Sequence, residues 1–354
     1  MDYRHMIRTH KQHLNLNSLT KKMTAFLLLI LTIGINAACA QQKDWLHFKP
    51  NAGTAKGKKV VLVSGDEEYR SEESMPMLAK ILTTHHGFET FVLFAIDPKT
   101  KQINPEHQNN IPGLENLKDA DLLIIATRFR ELPDAQMKHI DSYLKAGKPV
   151  IGLRTATHAF NFNKDSKSPY KHYGYSEKSA EWKGGFGGLV LGETWVNHHG
   201  DHGKEGTRGL INGLEVEGKN PILLGVKDIW VPSDVYGIRN NLATAKVLVF
   251  GQPTAGMTAE SPVNWHKTIM PVAWTKSYQL PGGQQGKVFA STMGSSIDLK
   301  SADLRRLVVN AAYSLVGLEN VIKEDFNVNP VGHFEAHMFG FGTYEKGKYP
   351  KDYQ

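Results

Sequence analysis

The chain has 354 residues, 40% of them hydrophobic and 22% charged, which suits a folded globular protein of one large domain or two smaller ones. Its formal charge of +7 is concentrated at the N-terminus. Beyond residue 40, 37 basic residues face 34 acidic ones, and no basic run is interleaved with aromatics, which argues against a nucleic-acid partner. Cys39 is the only cysteine, and it falls in a leader expected to be removed. A mature chain would then carry no disulfide, thiolate nucleophile or cysteine-bound metal.

That leader is residues 1–40. Lys21-Lys22 precede an apolar run from Ala25 to Ile35, followed by Ala37-Ala38-Cys39-Ala40, the pattern of a secretory signal with a small-residue cleavage site. The run is too short to span a hydrocarbon core of about 30 Å. Export to the periplasm or medium as a soluble protein is the expectation. Membrane attachment would follow only if Cys39 accepted a lipid, and Asn36 stands where that motif usually has leucine.

After a polar lead-in, Val60-Val61-Leu62-Val63 reads as a buried strand ending in Ser64-Gly65. Ser71 or Ser74 is expected to cap a helix with Met75, Leu78, Ile81 and Leu82 on its apolar face. Phe91–Phe94 and Leu122–Ile125 read as strands, Pro133-Asp134 opens a helix closed by Gly147, and Pro149–Leu153 returns as a strand. This alternation predicts an α/β fold, a doubly wound, mainly parallel sheet flanked by helices, with Val60–Val63, Leu122–Ile125 and Val150–Leu153 adjacent. A long insertion is expected around 160–210. In the second half, Ile222–Leu224, Lys246–Phe250, Val272–Trp274 and Lys287–Ala290 read as strands. A last helix carries Leu304, Leu307, Val308, Ala311, Ala312 and Leu315 on one stripe. Residues 319–354 have no period and are expected to form an irregular tail over the domain.

Ligands in such sheets bind beyond the carboxyl ends of the strands. Two loops lie there: Gly65–Glu73, with Glu68, Tyr69 and Arg70, and Gly152–Phe160, with Arg154 and His158. A strand turning sharply after Gly-Leu is where an α/β hydrolase places its nucleophile, but here the elbow residue is Arg154. Thr155 and Thr157 are read as turn hydrogen-bonders. The segment Trp195–Gly203 packs three imidazoles, His198, His199 and His202, around Asp201. Imidazole titrates near neutrality, which suits proton transfer or metal ligation.

These segments together resemble the trehalose-utilisation (ThuA-like) family. The resemblance rests on Val61–Gly65, Gly152–His158, Asn197–His202 and Lys287–Gly294, within a domain of residues 58–318. It implies a class I glutamine amidotransferase-like fold, a flavodoxin-like three-layer sandwich without the amidotransferases' cysteine, and a link to catabolism of sugars or keto-sugars. Glutamine amidotransferase activity is therefore not expected. Family members mostly carry histidine where this chain has Arg154.

The residues leave two classes open: an exported carbohydrate-active enzyme, such as a hydrolase, or a carbohydrate-binding protein without catalysis. His158, His199, His202 and Asp201 are the candidate catalytic groups, expected to converge on Arg154. Arg154, Glu68, Tyr69, Arg70, Trp230, Asp234 and Tyr236 are the candidate contacts to a small-molecule carbohydrate. No cofactor is favoured, because a fixed guanidinium opposes a cation. A divalent metal such as zinc stays open, with His198, His199 and His202 as its ligands. His333 and His337 form a further pair at helical spacing, and His85-His86 is expected to cap helix-end carbonyls.

Overall fold

The computed structural model describes residues 43–354, apart from positions 240, 241 and 243. The leader and Cys39 lie outside the described residues, and no described helix is long and apolar enough to cross a membrane.

The strand elements are β1 (Trp45–Phe48), β2 (Lys59–Gly65), β3 (Glu89–Leu93), β4 (Leu122–Thr127), β5 (Val150–Leu153), β6 (Thr207–Ile211), β7 (Ile229–Val231), β8 (Lys246–Pro253), β9 (Met270–Gln279) and β10 (Gln285–Ser291). The helices are α1 (Ser71–Thr84), α2 (Asp134–Lys145), the short α3 (Gly213–Glu217) and α4 (Ala302–Leu315). All ten strands join one sheet in the order β1-β3-β2-β4-β5-β10-β9-β8-β6-β7.

The five strands β3, β2, β4, β5 and β10 run parallel, and their register sets Val61 opposite both Phe91 and Leu123, and Ile151 opposite both Ile124 and Phe289. The apolar runs at 60–63, 122–125 and 150–153 are indeed adjacent, and all are buried because helices cover both faces. Side chains of α1 and α4 share one core with Val60, Leu62 and Ile151. Met137, Ile140 and Leu144 of α2 share another with Val61, Leu123 and Val150. Each fully buried aliphatic side chain in these layers is worth roughly 1.5–3 kcal/mol.

The sheet is mixed rather than mainly parallel. The edge strand β1 and the run β9-β8-β6-β7 are antiparallel to their neighbours. Parallel neighbours need a crossover, and no long helix separates β6 from β10, so these strands meander. Residues 222–224 are not a strand either. Pro221 lacks an N–H, Asn220 caps Ile222 N at 3.1 Å, and residues 221–223 make one 3-10 turn.

Neither serine caps α1. Ser71 spends its hydroxyl on Ser64 Oγ at 2.9 Å and Gly65 N at 3.1 Å, tying the helix start to the end of β2. Arg70 precedes the helix in the left-handed region with φ 59°. By contrast, α4 starts on Ser301, which accepts from Leu304 N at 3.3 Å, and a left-handed Gly317 follows its end.

Within residues 161–206 the regular structure is short. Its apolar segment Gly187–Leu191 forms a π-helical turn beneath β5, where Leu191 approaches so closely that a Cβ on Gly152 would lie 2.7 Å from it. Trp274 Nε1 donates to Leu191 O at 2.8 Å, fixing the turn to β9. This segment thus supports the strand end that carries the site.

Candidate functional site

At the carboxyl end of β5 the chain turns at Arg154, whose φ of 46° places a bulky L-residue in the left-handed region at a cost of order 1–3 kcal/mol. Something must hold it there, and the side chain does. The guanidinium is buried between the rings of Tyr69 and Tyr236, at 4.2 and 4.3 Å from their centroids. It donates to Thr292 O at 2.9 Å, to Asp234 Oδ1 at 3.2 Å and to the Asp234 carbonyl. The sequence alone points Arg154 at a sugar oxygen. Its position is 1% exposed, so it acts instead as the clamp that holds Asp234.

Asp234 is the hub. It is fully buried, and besides Arg154 it accepts from His202 Nδ1 at 3.1 Å and from His198 Nδ1. Burial works to raise its pKa, but the two imidazole hydrogen bonds and the Arg154 charge outweigh it and hold the carboxyl well below the usual range. The same bond to Asp234, against partial burial, raises the pKa of His202. The other edge of that ring, Nε2, lies 3.3 Å from Glu68 Oε1. Burial and the neighbouring Asp66 push the Glu68 carboxyl up, although Arg128, His202 and Arg154 oppose them. His202 therefore stands between a carboxylate held ionised and a carboxyl that keeps its proton to higher pH.

His158 borders the hub through Tyr236 and Trp195, with centroids 5.5 and 5.4 Å away. Its Nδ1 lies 3.1 Å from Thr157 Oγ1. Burial, then the charges of Arg128, Arg154 and His198, keep this imidazole well below its ordinary pKa and neutral at pH 7. Thr155 Oγ1 donates to Asp66 Oδ2 at 2.5 Å, while Asp66 Oδ1 accepts from the backbone of Glu68 and Tyr69 at 2.9 and 3.0 Å. This Asx-type turn aims Glu68 and Tyr69 at the hub.

The remaining expected residues lie elsewhere. His199 turns away, its N donating to Val235 O and its Nε2 lying 2.6 Å from Thr268 O. Successive residues in an extended segment point to opposite sides, so His198 and His199 cannot both face Asp234. Asp201 is exposed and pairs with Lys267 at 2.5 Å. Trp230 lines a separate cavity of about 570 Å³ with Pro232, Met257, Ile297 and Met338. Arg70 binds Glu73 at 2.7 Å. The pair His333 and His337 sits on irregular chain, and only His337 reaches a buried group, with Nδ1 2.9 Å from Glu73 Oε1. His86 accepts no helix-end role, since its ring lies 2.9 Å from Asn327 O and 3.2 Å from Tyr313 OH.

Two parts of the site had no signal in the motifs. One is the loop after β4, where Arg130 and Arg128 grip the Glu67 carboxylate, Arg130 at 2.7 Å, and Arg128 Nε lies 3.5 Å from Glu68. The other is the tail. Gly340 N donates to Glu68 O at 2.9 Å, and the Phe339 ring lies 5.2 Å from His202 and 5.3 Å from Tyr69.

His198, His202 and Asp234 each offer one ligand atom, and these lie within 4.8 Å of one another. The set could receive a cation if the imidazoles turned lone pairs rather than N–H bonds to the centre. His199, expected in that set, is replaced by Asp234.

In sequence, a family model described as trehalose utilisation, ThuA, matches residues 59–313. No curated protein matches the chain. Among solved structures, the chain is similar to a ThuA-like protein from Parabacteroides merdae ATCC 43184, with 15% identity, 84% of this chain and 99% of that one covered, and a TM-score of 0.46. A cytoplasmic protein from Salmonella typhimurium is similar at 13% identity, covering 73% of this chain and 98% of its own, with a TM-score of 0.40. The family match spans most of the chain and includes β2, the elbow, Asp234 and β10, so the protein belongs to the ThuA family of carbohydrate utilisation.

Proposed function

We propose that the protein acts on a sugar or keto-sugar derivative by proton transfer at the His202–Asp234 pair, with Glu68 as the facing acid. The observation that carries this reading is the placement of His202, 3.1 Å from a low-pKa carboxylate at Nδ1 and 3.3 Å from a raised-pKa carboxyl at Nε2. Environments that push neighbouring titratable groups apart supply an acid and a base at one pH. Asp234 fixes the His202 tautomer, so Nε2 is the atom that exchanges a proton with substrate or with Glu68. Trp195, partly exposed and packed against the buried rings of His158 and Tyr236, offers an apolar face that suits sugar C–H groups. The elbow position itself is Arg154, which cannot serve as a nucleophile.

The test is turnover of a panel of glycosides and their oxidised (keto) forms by wild type, His202→Ala, Asp234→Asn and Glu68→Gln, with thermal melting alongside. A loss of about a hundred- to ten-thousand-fold in His202→Ala and Glu68→Gln with little change in melting supports proton transfer, whereas Asp234→Asn also breaks the buried pair with Arg154 and should melt lower. Undiminished turnover in all three variants refutes it.

A second reading, metal-dependent hydrolysis, is favoured by the His198, His202 and Asp234 ligand atoms. A divalent ion there would supply Lewis-acid polarisation. Arg154 at 3.2 Å already neutralises Asp234, which weakens the set for a cation and ranks this reading second. Stoichiometric zinc in purified protein, with activity lost on chelation, would reverse the order. We also place the mature protein outside the cytoplasm. Intact mass after expression should show loss of about forty residues, and a retained leader or a lipid on Cys39 contradicts the soluble exported form.

A further inference from the structure

Residues 337–343 lie beyond the stretch matched by the family, yet they form part of the site. They are tied to the loop after β2 at three points. His337 holds Glu73 through its ring at 2.9 Å and its N–H at 3.2 Å. Gly340 N donates to Glu68 O at 2.9 Å. Arg70 Nη1 donates to Thr343 Oγ1 at 3.2 Å and to the Thr343 carbonyl. A fourth contact is a cation–π one, with the Arg128 guanidinium 4.9 Å from the Phe341 ring.

These ties fix one side chain over the hub. Phe339 is half-buried, and its ring leans on Tyr69 at 5.3 Å and on His202 at 5.2 Å. Hydrophobic burial alone gives no reason to hold a phenylalanine beside a titrating imidazole and two buried carboxyls. A ring already immobilised there pays little further entropy on contact with a ligand, and its π-face matches the C–H face of a pyranose.

We infer that Phe339 is a specificity-determining residue that seats the apolar face of a pyranose ring beside His202, and that the strap 337–343 is the wall that holds it there. This rests on the sugar reading above and deepens it to ring-form sugars presenting a C–H face. An acyclic polyol with the same hydroxyls has no such face and would gain nothing from Phe339.

The experiment is calorimetric titration of the full chain with methyl β-D-glucopyranoside and with sorbitol, for wild type, Phe339→Ala, Phe339→Trp and His202→Ala. The expected result is that Phe339→Ala weakens glucoside binding by about tenfold, the scale of one aromatic contact. Sorbitol binding should be unchanged, and Phe339→Trp should restore the glucoside. Melting curves of Phe339→Ala separate this from collapse of the strap, which would weaken both ligands together. Equal losses for glucoside and sorbitol, or no loss for either, overturn the inference. Loss of glucoside binding in His202→Ala but not in Phe339→Ala overturns it while leaving the sugar site standing. Failure of wild type to bind either ligand overturns both.

Discussion

Glu72 offers the sharpest test of the electrostatics beneath the strap. It sits in the first turn of α1, 1% exposed, with neither carboxyl oxygen hydrogen-bonded to a side chain or neighbouring backbone among the described residues. Burial, reinforced by Glu73 and Asp66 and opposed by its own backbone N–H and by Arg70, pushes its pKa from 4.5 up to about 8. At pH 7 the folded carboxyl keeps its proton while the unfolded one has lost it. The folded state binds more protons, so stability falls as pH rises from 4.5 towards 8. Over roughly 2.5 pH units at about 1.4 kcal/mol each, the penalty at pH 7 is about 3 kcal/mol. Glutamine cannot ionise in either state. Glu72→Gln should therefore gain about 3 kcal/mol relative to wild type between pH 4.5 and pH 7, or a melting shift of roughly 4–5 °C. Any fixed cost of burying the amide cancels between the two pH values, as do the titrations of groups not coupled to Glu72. Urea and thermal unfolding of both proteins at pH 4.5, 7 and 8 measure it. A difference between the two proteins that does not change with pH would refute a protonated Glu72.

Arg154→Met should destabilise the fold by about 3–5 kcal/mol in urea unfolding, because it strands the buried Asp234 carboxylate as well as the strained elbow; a loss under about 1 kcal/mol would show the clamp to be dispensable. His158 is held neutral below its ordinary 6.5, so the unfolded state binds the extra proton and stability falls as pH drops through that range. His158→Phe should flatten this slope by up to about 1.4 kcal/mol per pH unit below pH 6.5, and an unchanged slope contradicts a neutral buried ring.

The parallel half of the sheet was legible because its strands are continuous apolar runs, buried on both faces and separated by periodic helices. The antiparallel half was less so. Ile222–Leu224 is as apolar as a strand, and only the preceding Asn220-Pro221 signals a capped turn. At the site, the histidine cluster drew attention to the right segment, yet adjacency in sequence does not decide which side chains share a face. His198 and His202, four apart on a looping chain, meet at Asp234, while His199 and Asp201 point outward. The pairing of Arg154 with Asp234 joins residues 80 positions apart, and that of Phe339 with His202 joins residues still more distant. No local pattern encodes either. Arg128 and Phe339 could have been suspected only from the rule that loops after parallel strands, and whatever lies over them, share one edge.

The position of β10 has a kinetic consequence. It is the last strand in the chain, yet it lies in the middle of the sheet, parallel to β5 on one side and antiparallel to β9 on the other. The tight turn between β9 and β10 lets that hairpin form locally in about 1–10 μs. Docking it on β5 must bring together residues 150–153 and 288–291, a closure of high contact order. Until then the wholly apolar β5 presents an open edge, the template on which another chain can pair. Refolding should accordingly be limited by this one docking step and should lose yield as protein concentration rises, with a fragment ending before residue 285 aggregating where the longer chain does not.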